Sequence, residues 1–119
     1  AYMIDESSNG TDMAIYFMQV STAFGTPHAT AGISDANLEA AKLCGMAKVL
    51  DASTKSTELD NMRVHQVMGA GGSDESLTPL MLLQAEDNST SVFFTAVVES
   101  GTPTYADTDS LEFIFHIEK

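Results

Sequence analysis

Polar and apolar residues alternate most regularly at the end of the chain, where Leu111, Phe113, Phe115 and Ile117 fall on one side and Glu112, His116 and Glu118 on the other. A period of two predicts a strand with one dry face. Residues Ser91–Val98 are apolar on both sides apart from Thr95, the pattern of a central strand covered above and below. These two strands are expected to pair and to anchor the core. Met13–Thr22 reads as a further strand, apolar on both faces apart from Gln19, and Met62–Met68 as a shorter one. Leu80–Ala85 is a candidate strand with Pro79 at its entrance, where a missing N–H is best tolerated.

The period changes after Ser34. Leu38–Leu50 is built largely from strong helix formers, Ser34 or Asp35 can cap it, and Ala36, Ala40, Leu43, Ala47 and Leu50 make a stripe at spacings of four and three. Gly45 costs about 1 kcal/mol relative to Ala inside a helix, so a change to extended structure after Cys44 is the competing reading. Asp5–Asp12 is polar and turn-forming, as a loose arm or hairpin would be, and Gly69–Ser76 reads as a flexible connection. The order is one strand, one helix and four strands. It predicts a mainly β (α+β) fold: an antiparallel sheet or small β-sandwich of about five strands with one helix packed on it, in a single domain over 1–119.

Composition narrows the partners more than the chemistry. The chain has 119 residues, 44% of them apolar, enough for one core without metal or disulfide. Seventeen acidic residues against five basic give a net charge of −12. Such a surface argues against nucleic acid, which needs clustered Lys and Arg, and against anionic membrane. No apolar run approaches eighteen residues, so membrane insertion by a helix is not expected. The acidic start lacks the positive region of a secretory leader, as in a chain already processed. The single Cys44 precludes an internal disulfide framework. All basic residues are at Lys42, Lys48, Lys55, Arg63 and Lys119, which leaves 1–41 and 64–118 without any. Self-repulsion for solubility accounts for this, and so does a head-to-tail contact between a Lys-bearing zone and the acidic loops of another copy.

Candidate chemistry is sparse. Gly69-Ala70-Gly71-Gly72 lacks the spacing and following Lys of a phosphate loop. Met62, His65 and Met68 are soft-metal ligand types, but on one strand the methionines and the histidine point opposite ways, which favours core packing. His28, His65 and His116 lie on separate segments, and Cys44, flanked by apolar residues, reads as an inert thiol. Asp107, Asp109 and Glu112 offer oxygen ligands beside a strand, a candidate calcium site to which Asp74 or Asp87 would add, without the Gly and spacing of an EF-hand. Asn9-Gly10-Thr11 and Asn88-Ser89-Thr90 are glycosylation sequons, at a frequency that this Ser/Thr content supplies by chance.

Gln66-Val67-Met68-Gly69-Ala70 resembles the inhibitory hairpin Gln-x-Val-x-Gly of the cystatin family, which shares the element order. The match is confined to Gln66: Met68 replaces Val, Ala70 replaces the last Gly, and there is no Trp for the second hairpin. Inhibition therefore does not follow. The expectation is a non-enzymatic structural or surface module that self-associates or decorates a larger assembly, such as a filament, shell or appendage, in an extracellular, cell-surface or virion setting. The alternative is a β-domain that binds a small ligand or calcium.

Overall fold

The computed structural model describes residues 1–7, 10–26, 29, 31–59, 62–69, 81–105 and 110–118. The fold is mainly β, with two sheets and one helix of more than a single turn among these residues. The first sheet has the order β4-β5-β1-β8, from Lys55–Leu59, Met62–Gln66, Tyr2–Asp5 and Leu111–Ile114. The second has the order β6-β3-β2-β7, from Met68–Gly69, Leu43–Val49, Met13–Met18 and Phe93–Val98. The helices are α1, Asp35–Ala41, and the one-turn α2, Asp51–Thr54. By contacts the chain clusters into two compact units, residues 1–14, 47–79 and 98–119 in one and 15–46 and 80–97 in the other.

In the first unit β1 runs antiparallel between β5 and β8, pairing Met3 with His65 and Phe113, and Asp5 with Arg63 and Leu111. The strand therefore sits where the sequence suggests only the approach to a loose arm. Residues directly opposite one another share a face, so Met3, Asp5, Arg63 and His65 point the same way. Met3, Asp5 and His65 are fully buried. The outer residues of the same strands, Tyr2, Ile4, Val64 and Gln66, are half-buried or exposed. Met13, Ala14, Ala47, Val49 and Val67 are the other buried apolar residues of this unit among those described.

In the second unit Met18, Phe24 and Ala41 form a buried cluster against which Tyr16, Ile33 and Val97 pack. Tyr16 and Phe24 meet as a tilted ring pair at 5.2 Å. The Ser34 hydroxyl accepts from the Asn37 N–H at 3.3 Å and caps α1. The helix ends much earlier than its propensities predict: Lys42 takes a left-handed conformation (φ 49°) and Leu43–Val49 is strand β3. Sheet pairing wins over propensity here, since the Ala41 and Lys42 carbonyls accept from the Val20 and Gln19 N–H groups. Gly45 is a close-approach glycine, because a Cβ there would overlap the Met81 thioether and lie 3.0 Å from the Leu83 side chain.

The C-terminal expectations need correction. Among the described residues β7 and β8 belong to different sheets and each lies at an edge. β7 is not covered on both faces: Phe93, Phe94 and Val98 are exposed. β8 ends at Ile114, and although Phe113 and Phe115 stack, Ile117 is 77% exposed. Residues 81–85 form no strand. They pack across Gly45 instead of pairing in a ladder.

Candidate functional site

The first unit contains a cluster of polar side chains brought together from distant parts of the chain. Asp12 accepts the Asp51 N–H through Oδ1 at 2.9 Å and the Ser100 hydroxyl through Oδ2 at 3.0 Å, while its carbonyl accepts the Glu99 N–H at 2.9 Å. Two distant chain segments, at 51 and at 99–100, are tied to one residue. Arg63 Nη1 donates to Asp51 Oδ1 at 2.9 Å, and the same oxygen lies 4.0 Å from Nε2 of the buried His65. The guanidinium rests on Gly10, where φ is +63° and any Cβ would overlap Nη1. Glycine is needed there twice over, for the left-handed backbone and for the space.

A second polar group adjoins β1. Asp5 Oδ1 accepts the Ser7 N–H at 2.9 Å, and Tyr105 donates to the buried Thr11 hydroxyl at 3.5 Å. Burial pushes the Tyr105 phenol above its ordinary pKa; the Thr11 hydrogen bond works against this and the Asp5 carboxylate adds to it. Lys48 and Glu99 form a further ion pair at 2.9 Å.

This arrangement fixes backbone more than it presents reactive atoms. Asp51 to His65 is beyond hydrogen-bond distance, and the Asp51 oxygen is engaged by Arg63. Cys44 is half-buried on β3, not within a helix as its surroundings in the sequence suggest. Among the described residues no three His, Cys, Asp or Glu side chains converge as a metal centre requires. Of the proposed calcium ligands, Glu112 is exposed on β8, and Asp107 and Asp109 lie outside the described residues, as do Asp74, Asn9, His28 and 70–72 of the glycine run. Met62 and His65 are on β5 and Met68 on β6. His116 packs edge-on against Tyr2 at 5.9 Å. Asn88 sits in a left-handed conformation (φ 66°) on an exposed turn closed by Ser89 N–H to Glu86 O at 2.8 Å.

The second unit has the opposite character. Leu38 on α1, Leu43 and Met46 on β3, Leu82, and Phe93 and Phe94 on β7 are all exposed, Leu82 by 91%. Its ion pair, Lys42 with Glu86, lies at the surface. Sequence reading missed these exposed residues because a run such as Ser91–Val98 looks the same whether it is buried or left at an edge. No protein-family model matches the chain, and neither the curated proteins nor the solved structures include a match to it. Among the described residues no helix is long and apolar enough to cross a membrane.

Proposed function

We propose that this chain is a non-enzymatic structural or surface module that associates with copies of itself, alone or within a larger assembly such as a filament, shell or appendage. The supporting observation is the set of large apolar side chains left at the surface of the second unit, above all Phe93 and Phe94 on β7. Large apolar side chains exposed on a folded surface are the chemistry that a partner chain would cover. The −12 charge makes association depend on salt, because bringing two copies together must overcome their mutual repulsion. An extracellular, cell-surface or virion setting belongs to this reading.

Sedimentation equilibrium over a wide range of concentration and ionic strength tests it. The expected mass rises above 12.7 kDa with concentration, and at lower concentration when salt is high. A chain that stays monomeric at every concentration and salt would overturn the reading.

A further inference from the structure

The fold treats the two glycosylation sequons differently. Asparagine in the pattern Asn-x-Ser/Thr accepts a glycan when its amide and the hydroxyl two residues on both reach the transferase, which restricts occupied sites to surface loops of exported proteins. In Asn9-Gly10-Thr11 the hydroxyl is already used: Thr11 is buried and accepts from Tyr105 at 3.5 Å. Gly10 lies beneath the Arg63 guanidinium, whose Nη1 would overlap any Cβ there. Presenting this sequon to an enzyme therefore means opening the polar interior of the first unit.

Asn88-Ser89-Thr90 is placed the other way. Asn88, Ser89 and Thr90 are exposed, as are Asp87 before them and Ser91 after. Asn88 stands at the corner of the turn with φ 66°, a backbone region that asparagine tolerates better than most residues with a side chain. The bonds that shape the turn are local: the Ser89 N–H donates to the Glu86 carbonyl at 2.8 Å, and the Ser91 N–H to the Ser89 hydroxyl at 3.2 Å. Neither belongs to a strand, since β7 begins at Phe93. The turn can reshape in an enzyme without the sheet giving way.

We propose that Asn88, and not Asn9, is the acceptor for an N-linked oligosaccharide on the folded chain, an inference that rests on the extracellular setting proposed above. The co-substrate is an oligosaccharide joined through pyrophosphate to a polyprenol-type lipid. The Asn88 Nδ2 attacks the anomeric carbon of its first sugar; a C–N bond forms as the C–O bond to pyrophosphate breaks. The lipid pyrophosphate leaves with the electron pair, and Nδ2 gives up one proton. Nothing is oxidised or reduced.

The test incubates the purified, folded chain with an oligosaccharyltransferase and a lipid-linked oligosaccharide, beside the variants Asn88→Gln, Thr90→Ala and Asn9→Gln, with circular dichroism to verify the fold. Intact mass and peptide mapping, before and after peptide-N-glycosidase, read the product. The expected result is a single glycan at Asn88 in the unaltered chain and in Asn9→Gln, and complete loss of it in Asn88→Gln and Thr90→Ala. If Asn88→Gln fails to fold, Thr90→Ala decides, since it keeps the residue with positive φ and removes the exposed hydroxyl. A folded chain left unmodified, or one whose glycan is lost only in Asn9→Gln, would overturn the assignment. Glycans on both asparagines of the folded chain would overturn the choice between the sequons. Fractionation of the cells or particles that carry the protein tests the setting separately: an Asn88 acceptor on a chain found only inside cells would keep the site and overturn the extracellular reading.

Discussion

The two units treat polarity in opposite ways. Among the described residues the buried polar ones, Asp5, Thr11, His65 and Ser110, all belong to the first, and most of the exposed large apolar ones belong to the second, although the second is the smaller. The first also carries most of the charge, thirteen acidic residues and four basic against four and one. A buried polar group is costly unless it is bonded, so the first unit holds its interior in one arrangement through directional contacts. The second is held by the packing of Met18, Phe24 and Ala41 and leaves apolar area over. The lesson is a division within 119 residues: one unit is held by directional polar contacts, and the other leaves large apolar side chains at its surface.

Substitutions at the Gly10 seat should break this contrast most severely. Gly10→Val places a β-branched residue at positive φ and displaces the Arg63 guanidinium, so urea denaturation should show a loss of about 3 kcal/mol. Arg63→Met removes the ion pair but keeps the backbone, and about 2 kcal/mol is expected because both side chains are only partly shielded from water. In the second unit Phe94→Ser gives up the ring contact with Phe17, so about 1 kcal/mol is expected in urea together with reduced association in sedimentation. A loss of stability comparable to that of Arg63→Met would erase the proposed division. Lys48→Met, which removes a half-exposed ion pair with Glu99, should cost about 0.5 kcal/mol, and less in high salt.

The smallest effect concerns alkaline pH. Tyr105 titrates higher in the folded chain than in the unfolded one, so the stability linked to it is complete below the unfolded value near 10 and is lost as pH rises through the folded value. Above pH 10 the unfolded state ionises first, which favours unfolding. Tyr105→Phe should therefore show a shallower fall of melting temperature above that pH. An identical slope in the two proteins would remove Tyr105 from the explanation.

Local pattern made some of this legible and hid the rest for identifiable reasons. Met13–Met18 and the Ser34 cap were readable because a run of apolar residues and a side-chain oxygen before a helix act locally. The end of α1 was not, since the residues of β3 are good helix formers and become strand only through pairing with a distant segment. β1 was obscured by its brevity and by Asp5, a carboxylate that pattern reading assigns to solvent and the fold buries. The Asp12, Asp51, Arg63 and His65 cluster leaves no motif, because its members are far apart in the chain and meet only through the sheet. For β7, the absence of charge was read as burial on two faces, whereas the strand is an edge.

The position of β1 also governs when the first sheet can form during synthesis. Residues 2–5 are made before both of their neighbours, residues 62–66 on one side and 111–114 on the other. The first sheet therefore cannot close until residue 114 has cleared the ribosome, and contacts of such long sequence separation slow folding. The charge-free strand at 93–98 is made before residues 111–114, so it leaves the ribosome while the first sheet is still incomplete.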